Sequence, residues 1–434
     1  MMKKAVLEIR EYDTISCNDN YKGECAYLPP IAFRELVNFI HAYSDSDETE
    51  ADILEFMKIG YKHKSDIITV KNFVGLIEFK AGYQIQILPK IDFFNDVDNT
   101  TAATKKVFVR MIRTMRDFEG KAFNDAALNT DRMNLYEIFV HMYLNAVWTL
   151  IKRGLKSGYI RQEENLNFYK GKLLVREQLR RNLVHAERFY VSYDEYQLNR
   201  AENRLIKSTL LKLERMSESE KNKKEIRRLL MAFELVKPSR NYNKDFAKVA
   251  LDRSMKDYEI LMRWSEIFLL NKSFTPFSGN ADAKAILFPM EKVFESYVAK
   301  HIRKNFTEAK WQVSLQDYGY YLFDAPQRFA LKPDIVVTTD NGHKIIFDTK
   351  WKKLNNNPNG NYGLSQADMY QMYAYAKKYR TPDVWLIFPK TYETYDCRDI
   401  SYQSDDNVNV RIFFVDVANI EESVQSLQEE ILKG

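Results

Sequence analysis

The chain has 434 residues, 45% of them hydrophobic, which is enough for two or three packed cores and too apolar for a disordered chain. A formal charge of +5 permits a polyanionic partner, but only a local basic face would argue for one. Cys17, Cys25 and Cys397 form no CxxC or Cys/His grouping, which argues against a structural zinc site or a disulfide framework and fits a reducing cytoplasm. Charges interrupt the opening MMKKAVLEIREYD before a signal-peptide core can form, and no run reaches the roughly 18 apolar residues of a membrane helix. The expectation is a cytoplasmic chain with no membrane contact.

The elements suggest a multidomain α+β organisation. A β-rich block covers 1–103. Within it, Phe33, Leu36, Val37 and Ile40 give Pro29 to Tyr43 a helical spacing, and Asp66 to Ile91 alternates with period two around Ala81-Gly82, a hairpin pattern. From 104 to 275 the period changes to that of helices. Leu135, Ile138, Phe139, Met142 and Val147 share one stripe, and Ala201 to Met216 and Lys224 to Leu235 continue the pattern. Only Arg188 to Tyr193 reads as a strand there. The cluster SFTPFSGN, Ser273 to Asn280, marks a boundary. From 276 to 434 the pattern is mixed α/β. A helix is expected over Ala283 to Asn305, then strands at Gln312–Gln316, Tyr320–Phe323, Phe329–Thr338 and Lys344–Lys350. A helix over Ser365–Tyr379 and strands at Val384–Phe388 and Val410–Val415 complete the expectation.

The chemistry concentrates in LKPDIVVTTDNGHKIIFDTKW, Leu331 to Trp351. Asp334 opens an apolar strand, Asn341-Gly342 is a hairpin turn, and the returning strand carries Asp348 and Lys350 on one face with Phe347 and Thr349 on the other. If the strands pair, Asp334 approaches Asp348. Two carboxylates and a backbone carbonyl make an all-oxygen site for Mg²⁺, with Mn²⁺ as a substitute. A metal there binds a phosphate and acidifies a water, while Lys350 orients the water or offsets charge building on the phosphate. The same letters also describe a solvated strand edge with a Lys–Asp pair. The context adds Glu291 and Glu295, four apart on an apolar-striped helix, and Gln371 and Tyr375, four apart on a later one.

These features resemble the PD-(D/E)xK nucleases in their RecB-like branch. Three further segments, YKGKLLVREQLRRN (Tyr169 to Asn182), ERFYVSYDEYQLNRAENRLIKSTL (Glu187 to Leu210) and MEKVFESYV (Met290 to Val298), are similar to the McrC family, the nuclease subunits of McrBC modification-dependent restriction systems. The resemblance spans about residue 65 to 400. It implies a C-terminal restriction-endonuclease-like fold and Mg²⁺-dependent cleavage of double-stranded DNA. It also implies a hexameric AAA+ GTPase partner of the McrB type, which reads 5-methylcytosine-type modification, docks the N-terminal part of this chain and is stimulated by it to hydrolyse GTP. Carried over by position, Asp334, Asp348 and Lys350 match the nuclease motif, Gln371 and Tyr375 match the downstream helix, and Glu295 matches the helical acid, with Glu291 as rival. No GxxxxGK[ST] motif is present, so the motor is a separate chain.

Other features stay open. The basic run Lys221 to Arg228 is a solvated helix face or a phosphate-binding one. Lys170, Lys172, Arg176, Arg180 and Arg181 form a second basic group. Asp194 and Asn203 read as buried polar anchors. The Asp66–Ile91 hairpin is either an element that enters a ring's channel or part of a plain sheet, and the block before residue 100 is expected to be dispensable for the nuclease fold. Two other functions share the sequence: a stand-alone nuclease of DNA repair or a mobile element, and an inert scaffold that docks a motor.

Overall fold

The computed structural model describes residues 5–21, 23–44, 57–94, 100–115, 134–252, 255–270, 283–397 and 399–433. These divide into two compact units. One holds the described residues up to 115 and from 283 onward, and the other holds 134–270. The expected three-part division at 103/104 and 275/276 is therefore drawn differently, because both ends of the chain build one unit.

In chain order, the first unit begins with β1 (Ala5–Arg10), β2 (Thr14–Ser16), β3 (Ala26–Tyr27), α1 (Pro30–Ser44), β4 (Met57–Lys62), β5 (Ser65–Val70), β6 (Phe73–Phe79), β7 (Tyr83–Leu88) and α2 (Thr101–Ile112). Strands β2 to β5 make one sheet in the order β3-β2-β5-β4. The expected hairpin is β6–β7, but it is no protrusion. It lies between β1 and a later strand, and nearly all of its residues are buried.

The second unit comprises α3 (Leu135–Arg153), β8 (Gly158–Leu166), β9 (Lys172–Leu173), α4 (Val175–Arg181), β10 (Phe189–Gln197), α5 (Ala201–Met216), α6 (Glu220–Met231), α7 (Tyr242–Phe246) and α8 (Lys256–Leu270). Its helices pack through buried residues such as Phe139, Tyr143, Leu205, Leu210, Trp264 and Phe268. Besides the expected strand it contains β8, whose polar sequence GYIRQEENL hides the apolar alternation that marks strands. Asn203 is the anchor expected: fully buried, it donates to the carbonyls of Lys156 and Leu198 and accepts from the Tyr258 hydroxyl. Asp194 is exposed, and among the described residues its side chain has no hydrogen-bond or ion-pair partner. The run Lys221 to Arg228 lies on α6, where Lys223, Arg227 and Arg228 pair with Glu220, Glu214 and Glu225, as a solvated face does.

The chain re-enters the first unit with β11 (Ala283–Pro289), α9 (Met290–Glu308), β12 (Gln312–Leu315), β13 (Tyr320–Asp324), β14 (Gln327–Leu331), β15 (Ile335–Thr338) and β16 (Lys344–Thr349). Then follow α10 (Gln366–Tyr379), β17 (Asp383–Pro389), β18 (Ser401–Gln403), β19 (Asn409–Val415) and α11 (Ile420–Lys433). The helix expected over Ala283 to Asn305 starts only at Met290. The apolar run before it pairs antiparallel with β6, from Ala283↔Phe79 to Pro289↔Phe73, so the N-terminal sheet runs β1-β7-β6-β11. A short apolar run is ambiguous between buried strand and helix until its partner is known. That pairing also contradicts the expectation that the first hundred residues are dispensable, since their sheet is completed by the strand that feeds α9.

The site-bearing sheet has the order β12-β15-β16-β17-β19-β18. Its central strand β17 reads DVWLIFP, is buried from Val384 to Pro389, and runs parallel to β16 and β19. Parallel strands covered on both faces read as continuous apolar runs. On one face α10 buries Met372, Tyr375, Ala376 and Tyr379 against Val336, Ile346, Val384 and Leu386. Each such large side chain stabilises by about 1.5–3 kcal/mol relative to exposure. Ser365 caps α10 by accepting from the Asp368 amide at 3.1 Å, and Arg380 ends it in the left-handed region at φ 55°.

Candidate active site

The β15–β16 turn brings the two aspartates together as the sequence implies: Ile335 pairs with Phe347, which sets Asp334 beside the end of β16. Asp348 is buried, at 2% exposure, while Asp334 keeps part of its surface open. Lys350 Nζ lies 2.6 Å from Asp348 Oδ2 and donates to Gln371 Oε1 at 3.1 Å. Gln371 Nε2 in turn donates to the Tyr375 hydroxyl at 2.7 Å. The helix face foreseen over the site is thus in contact with the lysine, one turn of α10 supplying amide and phenol together.

The structure separates the two glutamates of α9. Glu295 accepts from Gln316 Nε2 at 2.8 Å, and the Gln316 amide donates to the Asp334 carbonyl at 2.8 Å. Glu291 instead accepts from Asn72 Nδ2 at 3.2 Å, away from the aspartates. Glu295 is therefore the glutamate on the Asp334 side.

Burial raises the Asp334 pKa above the ordinary carboxylate range, reinforced by the charge of Glu295. Burial also raises Asp348, and the Asp334 charge adds to it. For Lys350, burial works against the charge, but Asp348 and Asp334 outweigh it and hold the ammonium above its ordinary pKa. Burial and the neighbouring Asp348 push the Tyr375 phenol up, so it stays protonated.

Do these residues fit a hard cation? The donor set is two carboxylates: Asp348, whose Oδ2 pairs with the Lys350 ammonium at 2.6 Å, and Asp334, whose charge raises the Asp348 pKa. Two neighbouring carboxylates with one ammonium beside them offer the hard oxygen ligands that a divalent cation takes. Among the described residues no three carboxylate, imidazole or thiol side chains converge on one point. The fit thus rests on Asp334 and Asp348, and Glu295 stands outside a closed cage.

Sequence reasoning missed three residues. Thr349, assigned by strand alternation to the far face, donates to Asp334 Oδ2 from both its amide and its hydroxyl, at 2.7 Å each. Asp334 precedes β15, so period two no longer fixes its direction. Gln316 ties Glu295 to Asp334 from a left-handed backbone at φ 48°. Glu11, after β1, accepts the Trp351 indole N–H at 3.0 and 3.2 Å from 340 residues away in sequence, a pairing no local pattern could reveal.

The fold and this site define a mixed α/β protein that gathers two carboxylates and a lysine at adjoining strand ends. The chain belongs to the family described as McrBC 5-methylcytosine restriction system component, which matches residues 68–389. No curated protein matches it. Among solved structures it is similar to a chain of the refined half-complex from a tetradecameric assembly of Thermococcus gammatolerans McrB AAA+ hexamers with bound McrC. The TM-score is 0.67 at 17% identity, over 98% of this chain and 100% of that one, a likeness of fold. A chain of the Thermococcus gammatolerans McrBC complex matches at TM-score 0.47 and 18% identity, over 70% of this chain and 88% of that one. Among the described residues no helix is long and apolar enough to cross a membrane.

Proposed function

We infer that the chain is the DNA-cleaving subunit of a modification-dependent restriction complex, with a PD-(D/E)xK nuclease site. It acts with a separate hexameric AAA+ GTPase of the McrB type that reads 5-methylcytosine-type marks. The observation that carries this reading is the meeting of Asp334, Asp348 and Lys350 at adjoining strand ends in a chain of this family.

Asp334 and Asp348 would hold Mg²⁺, which when bound polarises a phosphodiester and acidifies a water. Thr349 fixes the Asp334 carboxylate from two sides. Lys350, held between Asp348 and Gln371, keeps a positive charge where negative charge grows on the phosphate. Tyr375 orients Gln371 rather than exchanging a proton itself.

In this reading the docking surface lies on the β8-β10-β9 sheet and the loop after α4 in the second unit, where Tyr159, Leu183 and Val184 are 78%, 79% and 87% exposed. The N-terminal block is the rival element, through the β4–β5 turn beside exposed Tyr61.

The test is a cleavage assay on 5-methylcytosine-containing and unmethylated plasmid with the partner GTPase, GTP and Mg²⁺. Wild type cuts only the methylated plasmid. Asp334→Asn, Asp348→Asn and Lys350→Ala leave it intact while still stimulating GTP hydrolysis. Full cutting by Asp348→Asn would refute the assignment. Cutting without the partner would favour a stand-alone nuclease, and stimulation without any cutting by wild type would favour the scaffold.

A further inference from the structure

A cavity of about 470 Å³ opens beside Asp334. Its wall includes one face of α9, from Lys292 through Glu295 and Ser296 to Lys300 and Arg303, with Gln316 across from it. The spacing follows from the helix: at 100° per residue these five positions fall within an arc of about 140°. The other side of α9 holds the buried Val293, Phe294, Tyr297, Val298 and Ile302. Core packing therefore fixes which face α9 turns to the cavity.

The electrostatics of that face are unbalanced in a particular way. Its acidic members, Glu295 and Asp334, sit together at the β12–β15 end. Its cations, Lys292, Lys300 and Arg303, are exposed, and among the described residues none of the three has an ion-pair or hydrogen-bond partner. Elsewhere the chain pairs its surface bases readily: on α6, Lys223, Arg227 and Arg228 all meet acids. Three unpartnered cations lining a concave wall next to a carboxylate pair suit a ligand that carries several negative charges in a row. Lys292 and Lys300, eight residues apart, span about 12 Å of helix, while successive phosphates of a duplex strand rise about 3.4 Å each. One phosphate cannot satisfy both ends of that row.

We propose that Lys292, Lys300 and Arg303 bind the phosphates of the DNA strand flanking the bond to be cut, so that the α9 cavity carries the strand past Asp334. This rests on the nuclease reading above and adds to it a path for the substrate. Phosphate contacts position a duplex without reading its sequence, which suits a chain whose partner does the reading. Ser296, on the same face, is a hydroxyl donor within the row.

The experiment measures binding of a fluorescent 30-base-pair duplex to the full chain by anisotropy in Ca²⁺, across a range of KCl concentrations. GTPase stimulation of the partner is the check on folding. The variants are Lys292→Ala, Lys300→Ala, Arg303→Ala, their triple combination, and Arg303→Lys. The triple variant is expected to bind at least tenfold more weakly near 150 mM salt. Its log–log salt slope should fall by two to three, about 0.9 for each lost phosphate contact. Arg303→Lys should keep the wild-type slope. If the triple variant fails to fold, the single alanine variants decide, each expected to lower the slope by about one. Unchanged affinity and slope in variants whose wild type binds and cuts DNA would overturn the path and leave the nuclease reading standing. So would weakened binding of inorganic phosphate, measured by calorimetry, with DNA affinity intact. A wild type that neither binds nor cuts DNA would overturn the nuclease reading itself.

Discussion

The side chain and the amide of Thr349 both donate to a single oxygen of Asp334, at 2.7 Å each. That double contact is what aims the Asp334 carboxylate. Alternation along β16 places Thr349 on the non-catalytic face and suggests that valine would be tolerated, and the geometry reverses this. Thr349→Val removes one of two bonds to a half-buried carboxylate, each contributing about 1.5–3 kcal/mol. Cleavage at limiting Mg²⁺ should fall about tenfold or more, with partial rescue at saturating Mg²⁺, while Thr349→Ser stays near wild type. Equal rates for valine and threonine at low Mg²⁺ would remove the positioning role.

Metal dependence should carry a pH signature. Asp334 and Asp348 are both raised, chiefly by burial. A raised carboxyl contributes stability in its protonated form: fully present below its unfolded pKa, and lost as pH rises through its folded one. The apo site therefore weakens the fold as pH rises from acid toward neutral, and a cation, which needs both carboxylates ionised, offsets that loss. The half-saturating Mg²⁺ concentration for cleavage should drop as pH increases, and added Mg²⁺ should raise Tm more at pH 7.5 than at pH 5.5. Excess EDTA should abolish cutting, and Ca²⁺ should bind without supporting it. A pH-independent Mg²⁺ requirement would contradict the carboxylate pair.

Glu11 links the N-terminal sheet to the residue that follows Lys350. Burial pushes its pKa from 4.5 up to about 8, against hydrogen bonds from the Lys90 amide and the Trp351 indole and the charge of Lys353. The same sign applies: its contribution is complete below pH 4.5 and disappears as pH approaches 8. Glu11→Gln keeps an acceptor for Trp351 and removes the ionisation. Its Tm should exceed that of wild type at pH 8.5 by about 4 °C or more, and the gap should close near pH 5. Differential scanning calorimetry across that range decides, and a constant gap would mean that Glu11 does not titrate.

How far the sequence carried the reading depended on whether a signal was local. The Asp334–Lys350 hairpin, the Ser365–Tyr379 helix and the Gln371/Tyr375 pair all lie within a few residues of their own pattern, and each is found close to where it was read. What escaped depended on distant pairing. AKAILFP could be strand or helix until β6 took it up, and a polar strand such as β8 gives no alternation to read. The Glu291/Glu295 choice turned on which helix face meets Asn72 and which meets Gln316, a matter of packing rather than spacing.

The β6–β11 pairing leaves no room for a side chain at one position of β6. Gly75, in β6, has φ 138°, and a Cβ built on it would lie 2.0 Å from the Ile286 carbonyl oxygen of β11. Backbone cannot move aside as a flexible side chain can, so alanine there must push the strands apart or change the backbone conformation. Gly82, in the β6–β7 turn, also has a positive φ, of 81°, but open space around it. Gly82→Ala therefore meets only the dihedral penalty, about 1 kcal/mol. Gly75→Ala should cost about 3 kcal/mol or more. Because β11 leads into α9, which carries Glu295, Gly75→Ala should also lower cleavage at temperatures where the chain remains folded. Urea titration of both variants against wild type measures the difference, and near-equal losses would show that β11 does not hold this register in solution.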